Sequence, residues 1–288
     1  MKSSGPSDRP FRKVIAGVDE QQGGRDAAAL ARELVVADGS VLLVFVRVRD
    51  LLAGRSSDTD LQAVRRPCAV VSEVPAVSGS GQLVCIESTS VGRGLHEFAD
   101  SEQADLLVIG SCRRGLLGRV TIGDDTSDAL NAAPCAVAIA PLGYAEHPAA
   151  LSEIGVAYNG SPESEAALAV ARALAAQHGA KVSAFEAVAV PTYLAESGAG
   201  TVADALPGLV DHARARITAL GDVEAHAASG VPAEELARYS ASLGLLLSRW
   251  LARLWAVRSA RARKYLATAG THRPLPTACS DQKRSGPA

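Results

Sequence analysis

Short β-branched runs alternate along this chain with longer runs that carry one apolar face. Val14–Val18 reads as a buried strand, followed by a polar turn over 21–24 that contains Gly23 and Gly24. The spacing predicts a helix over 25–37, closed by Gly39. Val41–Val48 is too apolar to have a wet face and suits a parallel strand covered on both sides. Residues 51–81 mix Arg, Ser and Asp with Pro67 and Pro75, show no helical period, and predict an irregular crossover. Order resumes with a strand over 83–87, a helix over 91–103 and a strand over 105–110 that ends on glycine. A short helix over 126–133 and a last strand over 135–140 complete the series. Strands alternating with helices at this spacing predict a parallel α/β sheet with helices on both faces.

The same pattern returns at an offset of 140 residues. Val14-Ile-Ala-Gly-Val-Asp19 lies over Ile154-Gly-Val-Ala-Tyr-Asn159, and Ala31, Arg32, Leu34 and Gly39 recur as Ala171, Arg172, Leu174 and Gly179. A period this long means two copies of a domain rather than a solenoid. The second copy predicts a strand over 154–158, then a turn and helix cap at Asn159-Gly-Ser-Pro162, with proline in the first helical turn. A helix over 163–177, strand 182–190, helix 202–220 and strand 223–228 follow. A further helix begins near Val231, with Glu234 and Glu235 in its first turn, where acidic residues favour the dipole. The rhythm then stops near Leu243. The expected organisation is a disordered tail over 1–10, a first domain over 11–143, a linker over 144–152 and a truncated second domain over 153–243. An aberrant basic helix and disordered tail are expected over 244–288.

Composition narrows the function. Hydrophobic residues make up 48% and charged residues 21% of 288, enough for two cores. A net charge of −2 argues against nucleic-acid binding by bulk charge. Five cysteines without a CxxC pair fit reduced thiols better than a disulfide frame or zinc site. No run of 18 apolar residues reads as a membrane span, and residues 1–10 lack the apolar segment of a signal peptide, so a cytoplasmic location is expected. The six histidines show no metal-ligand spacing and are expected on the surface or in linkers. Serines near Gly110 have no identifiable His/Asp partner, so no catalytic residue is assigned.

Three elements together resemble the universal stress protein family in its tandem form, over about 11–242. The first is Ala16-Gly-Val-Asp19, a strand ending on an acidic residue before a helix, with Asn159 as its counterpart. The second is the phrase Gly94-Leu-His-Glu-Phe-Ala-Asp followed by Ala104-Asp-Leu-Leu-Val-Ile-Gly-Ser111. The third is Gly123-Asp-Asp-Thr with Ala133-Pro-Cys-Ala-Val-Ala-Ile. The resemblance implies two tandem Rossmann-like domains of the adenine nucleotide α-hydrolase-like type with parallel sheets, the second incomplete. It also implies a phosphate loop of the form Gly-x2-Gly-x9-Gly-(Ser/Thr), in which glycines let backbone approach phosphates and a helix offers free N–H groups.

Here that frame reads Gly110-x2-Arg113-x9-Gly123-Asp124. Arg113 resists positive φ, though its guanidinium can meet a phosphate. Asp124 would set a carboxylate against a phosphate charge, a cost of roughly 1–4 kcal/mol at about 4 Å. Asp124 or Asp125 is read instead as the cap of the helix at Thr126, with a metal-bridged phosphate contact as the alternative. The adenine contact of the family falls near Arg47, which suits a flat apolar base poorly. Asp19, Gly110, Arg113, Gly123 and Asp124 are the candidate nucleotide residues, with ATP possible but not favoured.

The corresponding loop of the second copy is replaced by Gly244-Leu-Leu-Leu-Ser-Arg-Trp-Leu-Ala-Arg-Leu-Trp and a basic continuation. Reading back-translated codons from their second base gives glycine at Trp250, permits it at Arg253 and Arg263, and so restores the Gly-x2-Gly-x9-Gly spacing. A frameshift near 243–247 accounts for this. Taken at face value, 244–264 is a basic amphipathic helix, for which membrane contact is not expected. Without the fourth strand, Ile154–Tyr158 is expected to have an open edge. The expected function is that of a non-enzymatic stress-response protein acting by association, as a homodimer or through sheet edges. The alternatives are an ATP-binding module whose occupancy regulates oligomerisation, and a slow ATPase.

Overall fold

The computed structural model describes residues 11–48, 82–111, 128–131, 133–148, 151–189 and 200–242. The crossover over 51–81, the loop residues Arg113, Gly123, Asp124 and Asp125, the start of the helix over 126–133, and everything after 242 lie outside them.

The first copy runs β1 (Lys13–Gly17), α1 (Gln22–Leu34), β2 (Ser40–Val48), β3 (Gln82–Ser88), α2 (Val91–Ser101), β4 (Leu106–Gly110) and β5 (Ala136–Ala140). The second runs β6 (Glu153–Ala157), α3 (Pro162–His178), β7 (Lys181–Val188), α4 (Gly200–Thr218), β8 (Glu224–Ser229) and α5 (Pro232–Ser242). All pairings are parallel. The first sheet has the order β3-β2-β1-β4-β5, which puts β1 in the middle; the second has the order β6-β7-β8, which leaves β6 at an edge. The stretch in which a fourth strand of the second copy would fall lies after 242, outside the described residues.

Burial follows the doubly covered pattern. Val14 and Ala16 face one side of the first sheet and pack with Ala27, Leu30, Ala31 and Leu34 of α1. Ile15 faces the other side, with Leu95 and Ala99 of α2. The α1 side continues without a break into the second copy, through Ile154, Val156, Leu168 and Ile217. The two copies therefore share one core. Each leucine buried there contributes about 1.5–3 kcal/mol relative to exposure. The opposite face of the second sheet is covered by α5, whose Tyr239 stacks on Phe185 at 4.7 Å and donates to Ser183 Oγ at 2.6 Å. Burial pushes the Tyr239 phenol up to about 12.

Several local expectations change. Helix α1 starts at Gln22, so Gly23 and Gly24 lie inside it instead of forming a turn. It ends at Leu34, followed by extended Val35, and Gly39 does not cap it. A Cβ at Gly39 would lie 2.6 Å from the Arg12 carbonyl, so close backbone approach is what requires glycine there. Gly179, at the same repeat position, does act as the left-handed cap of α3, with φ +66°. Cys85, on edge strand β3, is disulfide-bonded, which corrects the reading of all thiols as reduced. Cys135 is free, and burial pushes its thiol up to about 11. His96 and His178 are half-buried and partnered rather than free on the surface: His96 Nε2 lies 2.7 Å from the Ala129 carbonyl, and His178 Nδ1 lies 3.4 Å from Glu33 Oε1.

Asp26 is the polar residue that composition did not flag. Wholly buried in α1, it accepts the Gly143 and Ala145 N–H groups at 2.8 Å each and so ties the segment between the copies to the first helix. Burial raises its pKa, and the two N–H groups oppose that rise. Asp26→Ala leaves both donors without their acceptor, at about 1–3 kcal/mol for each buried donor, less the relief of carboxylate desolvation. A net loss of about 1–3 kcal/mol is expected in urea unfolding; a variant as stable as the parent would show the tie to be idle. With three described strands against five, the second sheet is expected to exchange amide hydrogens faster over 154–228 than the first does over 14–48, and equal protection would contradict this.

Candidate functional site

Ligands of open α/β sheets bind at the carboxyl ends of the strands, where the strand order reverses. In the first sheet that point lies between β1 and β4. Gly17, Val18 and Asp19 end one strand, Gly110 and Ser111 the other, and the N-terminus of α1 stands between them. Of the five candidate nucleotide residues, the structure brings Asp19 and Gly110 to this place. Arg113, Gly123 and Asp124 lie outside the described residues.

Asp19 is engaged with its own helix. Its Oδ1 accepts from Gln21 N–H at 2.9 Å and Gly24 N–H at 3.1 Å, which are the donors a helix N-terminus offers to an anion. Gly24 permits this, since a Cβ there would sit 2.7 Å from Asp19 Oδ1 and 2.3 Å from Asp19 N. The carboxylate therefore supplies the negative charge at α1, and a phosphate at the same N–H groups would meet it. Asn159 makes the shorter version of this turn in the second copy, with Oδ1 accepting from Ser161 N–H at 3.0 Å. There Ser161 Oγ caps α3 by accepting the Ser164 N–H, with Pro162 in the first turn as the sequence predicts.

Gly110 has a packing reason to be glycine. A Cβ at Gly110 would lie 2.3 Å from the Gly23 carbonyl oxygen and 2.6 Å from Gly23 Cα. The end of β4 and the first turn of α1 thus meet backbone to backbone, without any ligand needed to explain the residue. Arg47, at the expected base position, stands opposite Glu87 across β2 and β3, with guanidinium and carboxylate 3.7 Å apart. Ser111 is buried, its N–H donating to the Ala140 carbonyl at 2.9 Å. Among the described residues no three His, Cys, Asp or Glu side chains stand close enough to hold a metal.

The carboxyl ends of the second sheet carry a different set, which the sequence reading missed. Glu186 on β7 is buried and pairs through Oε1 with Arg216 of α4. The aliphatic stem of Arg216 lies beside Gly160, whose φ of +73° requires glycine. The signal available in the sequence was Glu186 itself, a carboxylate inside an otherwise apolar strand. Asp26 had a comparable signal, since its repeat counterpart is Ala166 and nothing in a helix facing the core calls for an acid.

If Gly110 serves packing, Gly110→Ala forces the N-terminus of α1 away from β4. A destabilisation of about 1–3 kcal/mol is expected from such overpacking, read as a lower urea midpoint in the absence of nucleotide. An unchanged midpoint would return Gly110 to a purely ligand-dictated role.

The model of the universal stress protein family matches residues 10–141 and 151–245. Among solved structures, a universal stress protein from Archaeoglobus fulgidus DSM 4304 is 14% identical, with a TM-score of 0.53 over 86% of this chain and 93% of that one. A functionally unknown protein from Pseudomonas aeruginosa PAO1 is 14% identical, with a TM-score of 0.52 over 85% and 90%. The Archaeoglobus fulgidus universal stress protein solved in complex with dAMP is 18% identical, with a TM-score of 0.33 over 45% and 98%. No helix among the described residues is long and apolar enough to cross a membrane. The parallel α/β architecture, repeated twice and matched copy by copy, places this chain in the universal stress protein family.

Proposed function

We propose that this universal stress protein works without catalysis, by association, and that the nucleotide cleft of its first domain is degenerate. The observation that carries this reading is the engagement of Asp19: its carboxylate already accepts the N–H groups of Gln21 and Gly24 at the N-terminus of α1, which faces the switch point. Arg47 held against Glu87, and Gly110 closed on Gly23, point the same way. No group of three His, Cys, Asp or Glu side chains that could hold a metal stands at this end of the sheet among the described residues. The Cys135 thiol, pushed up to about 11 by burial, stays protonated at neutral pH and is a poor nucleophile.

The alternative is a module that binds ATP through Asp19 and the loop containing Arg113, Gly123 and Asp124. Spacing favours it, because Gly110 and Gly123 keep the interval of the phosphate loop. Titration calorimetry of the full chain with ATP and magnesium separates the two readings. No heat of binding is expected up to millimolar ATP. Saturable binding that Asp19→Ala abolishes would overturn the degenerate cleft and install the ATP-binding module.

A further inference from the structure

Among the described residues β6 stands at a sheet edge, and that edge has a defined hydrogen-bonding polarity. Ser152 accepts from Lys181 N–H, and Tyr158 donates to the Phe185 carbonyl, so the even-numbered residues of this strand point their backbone groups at β7. Glu153, Gly155 and Ala157 point theirs the other way, and β6 has no strand on that side among the described residues. In the first copy the equivalent side of β1 is taken by β4, with Asp105 N–H donating to the Lys13 carbonyl and Val14, Ile15 and Ala16 in register with Leu106, Leu107 and Val108. Among the described residues a strand-shaped place therefore stands beside β6, with a filled example in the same chain.

The helix above this place is apolar on the flank that overhangs it. Helix α1 lies over both β1 and β4, and its Ala27 and Leu30 are wholly buried. Their repeat counterparts in α3, Ala167 and Val170, are only half-buried. No lysine or proline stands in Glu153–Ala157 to discourage strand addition. The carboxyl end of the place is charged: where Gly23 closes on Gly110 in the first copy, the repeat position in α3 is Glu163, which is exposed. A second folded copy fits poorly, because pairing β6 with itself brings two α3 helices over strands about 4.8 Å apart, against the 8–10 Å that packed helices need.

We propose that the β6 edge is a strand-addition site for an extended segment of another polypeptide, apolar along about four residues and ending on a lysine or arginine. The added backbone pairs with Glu153, Gly155 and Ala157, its side chains cover Ala167 and Val170, and its terminal cation meets Glu163. This rests on the reading that the protein acts by association, and it names the kind of partner.

A peptide copying Leu106–Ile109 and ending on lysine tests it against the full chain, with the same peptide ending on glutamate as its control. Saturable binding of the lysine form is expected, at least about tenfold tighter than the glutamate form, equivalent to 1.4 kcal/mol of charge preference. The amides of Glu153, Gly155 and Ala157 should become protected from exchange as the peptide is added. Gly155→Pro removes only an N–H that points away from β7 and should abolish binding while leaving the far-ultraviolet circular dichroism unchanged. Glu163→Lys should invert the preference between the two peptides, and this reversal decides the matter even if the proline variant does not fold. Failure of the lysine peptide to bind, or equal binding of both peptides, would overturn the site. So would amides already protected in a free monomer, which would assign the edge to residues 243–288, or amides protected only as the chain dimerises. Binding is read without nucleotide, so ATP uptake by the first domain would leave the result unaffected, and a failed peptide experiment would leave association through other surfaces standing.

Discussion

Helix α1 has almost no free surface, and the rest of the molecule is arranged around that fact. Its first turn touches the end of β4 through Gly23 and holds the Asp19 carboxylate over Gly24. Its middle carries buried Asp26, which fixes the segment leading to the second copy. Its far end meets that copy directly, with Gln177 donating to the Val35 carbonyl and His178 beside Glu33. A helix held at three levels by backbone contact, a buried carboxylate and a neighbouring domain leaves little room to move, because packed interiors tolerate few displacements. The cleft at the switch point inherits this rigidity, and its glycines and its acid serve the helix first.

The second copy uses the same plan with weaker means. Its helix α3 is capped by Ser161 and closed by Gly179, both local devices legible from sequence. It has no counterpart of Asp26 and no strand beside β6 among the described residues, and its apolar flank is only half covered. What remains of the second core is held by α5, through Tyr239 on Phe185 and Ser183, and by the core it shares with the first copy. The asymmetry between the halves therefore lies less in their elements than in what surrounds the first helix of each.

The fold was legible because it rests on periodicity. Runs such as Val41–Val48 have one physical solution in a covered parallel sheet, and the repeat allowed each half to check the other. Errors fell where long-range contacts assign a glycine its job. Gly23 and Gly24 look like a turn in isolation, yet they sit inside α1 because Gly110 and Asp19 approach their backbone. Gly39 looks like a helix cap, yet it answers to the Arg12 carbonyl. The candidate site was legible in part, since Asp19 and Gly110 do meet at the switch point. What the meeting does was not legible, because hydrogen-bond acceptance by a side chain depends on where the helix starts.

The sequence by itself determined the number of copies, the order and type of their described elements, and the family to which they belong. These follow from local periodicity and internal comparison, which need no knowledge of distant contacts. Only the tertiary structure decided that the Asp19 carboxylate is engaged with its own helix, that Asp26 ties the copies together, that Arg47 faces Glu87, and that Glu153, Gly155 and Ala157 turn their backbone groups away from β7. Each of these depends on the direction of a group in space, which side-chain identity and spacing leave open until the strands are paired and the helices laid across them.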